Sequence, residues 1–372
     1  MRLPVLDIAR FRSAPRSFAE ELRQCCHHIG FFCVKHDVPL SLVTRTQTLA
    51  CQFFAMPLEA KREIDYSLSP QFRGYMRVGM ENTAGRPDLR EQIEIAIDAP
   101  PAPPDALPPY LRLQGHNQWP DEALPELRPC VEEYAEHMGR LSNDLTDALG
   151  MALGLQPEVL REFFEPSPHW QLKLASYECA AKGASPWSGE EGETAAAPVD
   201  VEPQVGVGAH TDSGFLTLLL QDDAGGLQAF TRGAWRDVPP AGNGVIVCNL
   251  GEVAEMLSGG YLLATPHRVL LPQSTRLSIP YFHNPILDAR VRPLELPDDL
   301  PWERDAGYDE GGHWRRPSNA MIDEYGINAF KSLARSHPTV FAEHHPDLRV
   351  LKDGRVIERP WAYEMQPLGM PR

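Results

Sequence analysis

The sequence predicts a mixed α/β (α+β) fold: a double-stranded β-helix, or jelly-roll, core with flanking helices. Two observations carry this. Helix-period patterns fill the first half of the chain, and short strands punctuated by Gly and Pro follow from about residue 170. Helices first and strands afterwards imply an antiparallel β structure with the helices segregated outside it. A double-sheet jelly roll is the natural closure for such a block. No internal repeat argues for a solenoid or propeller instead.

Each element has its own warrant. Pro4–Ile8 reads as a short first strand. Ser17 with Glu20 has capping-box spacing and opens a helix running toward His27. Gly30–His36 has strand composition, and Pro39 starts a helix through Phe54. Gln71 to Pro109 reads as irregular, ending in a proline cluster. Leu127, Val131, Tyr134, Met138, Leu141, Leu145 and Leu149 then recur at three- and four-residue steps, one stripe of a long helix that Gly154 stops. Candidate strands follow at Gln171–Tyr177, Phe215–Leu220, Gly226–Phe230, Gly244–Cys248, Arg268–Leu271 and Arg276–Phe282. Ala180–Glu202, rich in Ala, Gly, Ser, Pro and Glu, reads as a mobile surface loop. Asn328–Arg335 reads as a helix able to close over the barrel mouth. Four regions result: 1–115 helix and strand, 116–168 supporting helix, 169–290 jelly-roll core, and 291–372 extension with the closing helix.

Composition narrows the function. With 372 residues and 42% apolar content, a sizeable core is possible. A net charge of −16 repels phosphate backbones and anionic membranes, so no nucleic-acid or membrane partner is expected. No apolar run approaches the length of a membrane span. The N-terminus lacks the apolar stretch of a secretory signal. Seven scattered cysteines without a C-x-x-C pair indicate neither a disulfide framework nor a thiolate zinc site. A cytoplasmic location fits this usage.

The chemistry gathers around His210-Thr-Asp212, His267 and Arg276-Leu-Ser278. Alternate residues share a strand face, so His210 and Asp212 point the same way. Two imidazoles and a carboxylate occupy one face of an octahedral Fe(II) and leave the other face for a bidentate 2-oxo acid and O2. A zinc hydrolase needs only one open position, and no partnered general base accompanies this set. Arg276 and Ser278 also share a strand face, and a guanidinium fork with a hydroxyl suits the distal carboxylate of 2-oxoglutarate.

These motifs resemble the isopenicillin N synthase-like Fe(II)/2-oxoglutarate-dependent dioxygenases. The resemblance runs through LPVLDI, GFFCVKHDVP, FFAMPLEAK and RGY. It continues through GVGAHTDSGFLTLLLQDDAGGLQ, VCNLGEVAEMLSGGYLLATPHRV and RLSIPYF. Lys35 and Asp37 depart from the family's usual Asn and Gly. TAGRPD adds some resemblance to ethylene-forming enzymes. The resemblance implies metal ligation by His210, Asp212 and His267, and co-substrate binding by Arg276 and Ser278 with Tyr177 beside them. Asn249 resembles a position beside the metal with a structural role. Lys173 shares Tyr177's strand face; it either joins the co-substrate contacts inside the cavity or caps the sheet edge.

The implied reaction is oxidation of a small-molecule C–H bond with release of succinate and CO2, by hydroxylation, desaturation or oxidative cyclisation. The alternatives are a 2-oxoglutarate-independent oxidase on the same fold and an inactive metal-binding scaffold. Glu81, Asn82 and Thr83, with Arg77, Phe215 and Thr217, are placed at the cavity mouth. They would suit a polar, amino-acid-like substrate or another specialised metabolite. Asp212→Ala is expected to abolish turnover, measured as succinate release; full activity in that variant would remove the carboxylate from the metal set.

Overall fold

The computed structural model describes residues 1–83, 85–179, 204–242, 244–302 and 320–359. The reading of Ala180–Glu202 as a surface loop falls outside these residues. The first half contains β1 (Val5–Asp7), α1 (Ala9–Ser13), α2 (Pro15–His28), β2 (Phe31–Lys35), α3 (Leu40–Phe54), α4 (Leu58–Lys61), β3 (Gly74–Met76), β4 (Asn82–Thr83), β5 (Arg86–Pro87), β6 (Glu91–Ala96), α5 (Leu127–Ala152) and α6 (Pro157–Arg161). The second half contains β7 (Gln171–Tyr177), β8 (Val205–His210), β9 (Leu216–Gln221), β10 (Leu227–Thr231), β11 (Ala234–Asp237), β12 (Val245–Leu250), α7 (Glu252–Leu257), β13 (His267–Leu270), β14 (Arg276–His283), α8 (Tyr325–Ser336), α9 (Pro338–His344), β15 (Leu348–Val350) and β16 (Val356–Glu358).

Two sheets face each other. The larger runs β1-β2-β12-β9-β14-β7-β6-β3 and the smaller β11-β10-β13-β8. Pairing is antiparallel except between β1 and β2. Strand alternation divides the core in two. Leu219, Val247, Ala175 and Tyr177 of the larger sheet meet Val207, Leu227, Ala229 and Val269 of the smaller one. On the outer face, Leu216, Leu218 and Leu220 of β9 pack with the α5 stripe from Leu127 to Leu149. The stripe is buried along its whole length, and Gly154, at φ 72°, follows the helix end as expected.

Several expectations need correction. Ser17 does not cap a helix: α2 begins at Pro15, and Ser17 lies inside its first turn, where its hydroxyl accepts from Arg10. Proline at the first position, with φ already set, supplies the helix start instead. The stretch Gln71–Pro109 is not irregular throughout. It contributes β3 and β6 to the larger sheet, with β6 paired to β7 from Glu91↔Ser176 to Ala96↔Gln171. The alternation of Ile93 and Ile95 with Gln92 and Glu94 is masked because the polar face is buried as well. The larger sheet therefore draws on the 1–115 and 169–290 regions alike.

Leu145 is fully buried between α5 and its neighbours, so Leu145→Ala should destabilise the protein by about 2–5 kcal/mol. Chemical denaturation, read as a lower midpoint at unchanged slope, measures the loss.

Candidate active site

The pairing of β8 with β13 sets His210 directly opposite His267. Their rings lie 4.3 Å apart between centroids. Each Nδ1 meets a backbone carbonyl, His210 that of Gly208 at 2.8 Å and His267 that of Thr265 at 3.1 Å. A ring that donates from Nδ1 keeps its Nε2 lone pair for a metal. Asp212 follows β8 by two residues, and its Oδ1 stands 3.7 Å from His210 Nε2 and 3.6 Å from His267 Nε2. The three ligand atoms thus converge on one point, as a facial metal set requires.

The Asp212 carboxylate is held from behind. Its Oδ2 accepts from Thr217 Oγ1 at 2.6 Å and from Asn249 Nδ2 at 2.7 Å. These donors occupy one oxygen and leave Oδ1 for the metal. Asp212's backbone is fixed too: Glu252 N–H donates to its carbonyl at 2.8 Å. Gly251 permits this approach, since a Cβ there would fall 2.7 Å from the Asp212 carbonyl oxygen and 2.3 Å from that of Gly214. Burial, joined by His267 and opposed by Asp212, pulls His210 down to about 4, so its ring is neutral near pH 7. Burial alone would raise the Asp212 carboxyl; the two imidazoles and its two hydrogen bonds outweigh it and hold it below the ordinary value. A neutral imidazole and an ionised carboxylate are the forms that ligate.

Arg276 lies opposite Tyr177 in the β14–β7 ladder, and Ser278 opposite both Ala175 and Gln221. The Arg276 guanidinium lies over the Tyr177 ring, 4.9 Å from its centroid, and is 1% exposed. Its Nη2 donates to Gln221 Oε1 at 3.1 Å, while its Nε and Nη1 have no protein partner. Gln221 Nε2 is likewise unpartnered. Buried donors without acceptors are costly, and a carboxylate would satisfy them. The residues present therefore fit both Fe(II) and the distal carboxylate of 2-oxoglutarate.

A cavity of about 870 Å³ opens from this centre. His210 and Asp212 line it, as do Glu81, Asn82 and Thr83, which the sequence placed there. Helix α8 lines one side of it, from Tyr325 to Ser336. Two expected residues are placed otherwise. Phe215 precedes β9, so strand alternation does not extend to it; it is buried in the outer core against Phe164, at 4.9 Å between ring centroids. Lys173 does line the cavity, on an interior strand and so not at a sheet edge. Its ammonium, however, is taken by Glu81 at 2.7 Å and Glu94 at 3.3 Å and does not extend to Arg276's pocket. Arg77 is exposed, and Thr217 supports Asp212 rather than lining the mouth.

Gln221, Arg90 and Glu94 escape a reading of the sequence. Gln92 and Glu94, alternating with two isoleucines, are the one pattern that points to an inward polar face; nothing in the sequence marks Arg90 or Gln221.

Comparison with known proteins agrees with this geometry. Residues 3–122 match the model of the non-haem dioxygenase in morphine synthesis N-terminal region, and residues 195–285 that of the 2OG-Fe(II) oxygenase superfamily. The chain is 32% identical to the 2-oxoglutarate-dependent dioxygenase frbJ of a Dothideomycetidae species, over 91% of this chain and 90% of that one. It is 32% identical to the homoarginine-6-hydroxylase 2-ODD-C23 of Glycine max, over 74% and 80% of the two chains. Among solved structures, a full-length Neurospora crassa protein in complex with alpha-KG has a TM-score of 0.68 at 21% identity, covering 90% of this chain and 96% of that one. The rice dioxygenase for auxin oxidation has a TM-score of 0.61 at 26% identity, covering 91% and 96%. The chain belongs to the 2OG-Fe(II) oxygenase superfamily. It is a 2-oxoglutarate-dependent dioxygenase with a jelly-roll core, and with Fe(II) and 2-oxoglutarate as its cofactor and co-substrate.

Replacing both donors behind Asp212, Thr217→Val with Asn249→Leu, should weaken Fe(II) binding about 10–100-fold. Metal titration of the apoprotein measures this, with circular dichroism reporting an intact fold.

Proposed function

We propose that His210, Asp212 and His267 ligate the iron, and that Arg276, Ser278 and Gln221 hold the distal carboxylate of 2-oxoglutarate beside Tyr177. The single observation that carries the co-substrate assignment is the pair of unpartnered, buried Arg276 donors facing the unpartnered Gln221 amide. The bound iron, 2-oxoglutarate and O2 supply the oxidising chemistry, with succinate and CO2 as products. The chain's own residues do the rest. The Nδ1 contacts to Gly208 and Thr265 orient both imidazoles, and Thr217 and Asn249 fix the Asp212 carboxylate. Helix α8 shields the cavity from water.

The substrate is a polar, amino-acid-like metabolite. The cavity wall supports this: Glu81, Arg90, Glu94, Lys173, Glu252 and Lys331 line it alongside apolar side chains such as Phe282, Met321 and Phe341. The relatives named as homoarginine-6-hydroxylases in Glycine max and Arabidopsis thaliana support it as well. A reducing, cytoplasmic setting accords with seven free cysteines. No helix among the described residues is long and apolar enough to cross a membrane.

Anaerobic titration of the Fe(II)-loaded protein with 2-oxoglutarate should produce a weak visible charge-transfer band. In Arg276→Ala the band should need at least about tenfold more 2-oxoglutarate, the loss of one charge-assisted contact. An unchanged titration in that variant would move the co-substrate anchor elsewhere.

A further inference from the structure

The cavity wall formed by β6 and β7 carries a cluster of charges for which the metal and co-substrate have no use. Glu81, Asp88, Glu94 and His337 are buried, and the Arg90 and Lys173 side chains are each only 12% exposed. Glu81 binds Lys173 through Oε1 at 2.7 Å, and Arg90 through Oε2 at 2.6 Å. Asp88 Oδ2 stands 3.3 Å from Arg90. Glu94 Oε2 stands 3.3 Å from Lys173 and 3.4 Å from His337 Nε2, and neither Glu94 Oε2 nor His337 Nε2 completes a hydrogen bond. Three carboxylates thus share two fixed cations, with the titratable His337 imidazole as the remaining neighbour of Glu94.

A buried charge without full compensation is costly. Burial pushes the Asp88 carboxyl up to about 6, opposed by Arg90 and helped by Glu81. With only two fixed cations for three carboxylates and Glu94 Oε2 completing no hydrogen bond, the wall has room for one more positive charge. The placement agrees. Glu81, Glu94 and His337 present ligand atoms within 4.8 Å of one another, the spacing of a cation site, and the Lys173 ammonium already sits among them. A metal ion there would have to displace that ammonium. An anion is disfavoured as well, because the Lys173 ammonium is committed to Glu81 and Glu94, and the Arg90 Nη atoms to Glu81, Asp88 and Tyr177, which leaves Nε alone without a partner.

We infer that this wall is the subsite for a cationic group of the substrate, an ammonium or guanidinium, with Glu94 as its direct acceptor and Glu81 holding Lys173 and Arg90 in register. The inference rests on the reading of the cavity as the substrate chamber, since Glu81 and Glu94 line the same cavity as His210 and Asp212. It narrows the substrate from a polar metabolite to one bearing a positive charge, with basic amino acids and their amine relatives as the class.

The test uses four probes of one carbon skeleton that carry the guanidinium, the α-ammonium, both or neither: Nα-acetyl-L-arginine, L-citrulline, L-arginine and Nα-acetyl-L-citrulline. Calorimetric titration of the anaerobic Fe(II)–2-oxoglutarate protein reads their affinities. The best cationic probe should bind at least about tenfold more tightly than the acetylated citrulline, the worth of one charge-assisted hydrogen bond. Glu94→Gln should reduce that ratio to about twofold. The charge-transfer band reports whether the variant has folded, and Glu81→Gln serves if it has not. Equal affinities, a preference that survives in both variants, or no binding by any probe while the band forms would overturn the cationic subsite and leave the oxygenase assignment standing. Absence of the band in the unmodified protein would instead count against the co-substrate assignment, and titration of the Fe(II) form alone would still read the charge preference.

Discussion

The antiparallel contact between β8 and β13 is the constraint on which the rest depends. It brings His210 and His267, far apart in sequence, face to face with no loop intervening. A ligand pair held by a backbone ladder is placed by the same hydrogen bonds that make the sheet. Its position is therefore as rigid as the core between the two sheets. Asp212 lies just beyond the ladder and has to be held by other means. Two side-chain donors from β9 and β12 and one backbone donor from the start of α7 supply them. Those three elements are in turn fixed by their own pairing, β12 against β9, and by the glycine that lets α7 approach.

How far the sequence disclosed this arrangement follows from where each residue's partners lie. His210, Asp212, His267 and Arg276 were legible because a ligand or carboxylate anchor must be of a particular chemical type, and those types stand in a recognisable order. The α5 stripe was legible because one face of a long helix is simply apolar. Thr217 and Asn249 were visible as residues but not as donors to Asp212, since that relation exists only once β9 and β12 are side by side. β6 was hidden for a different reason. Period-two patterns are read as apolar inside and polar outside, whereas β6 buries Gln92 and Glu94 against other charges. Phe215 was misplaced by extending strand alternation one residue past the point where the strand begins.

The structure also separates two electrostatic problems that a list of charged residues would merge. Around the proposed metal position, charge is arranged to be completed by a dication: a neutral His210 ring, one ionised carboxylate, and donors placed behind it. Around β6 and β7, charges are arranged chiefly against one another, with Glu94 left short of a partner, and Lys173 is as deeply engaged as the carboxylates that hold it. Such a network is an expensive way to build a wall, because hydrophobic side chains of similar volume would pack there at less cost.

Glu81, Asp88, Arg90 and Glu94 of that network belong to the first hundred residues, while every proposed iron ligand lies beyond residue 200. The proposed iron ligands and most of the charged wall are thus encoded in separate stretches of the chain, joined through the larger sheet, where β2 pairs with β12 and β6 with β7. Mutations in the early stretch can explore new recognition while the iron centre is inherited intact, a division of labour that favours divergence of substrate within a lineage of constant chemistry.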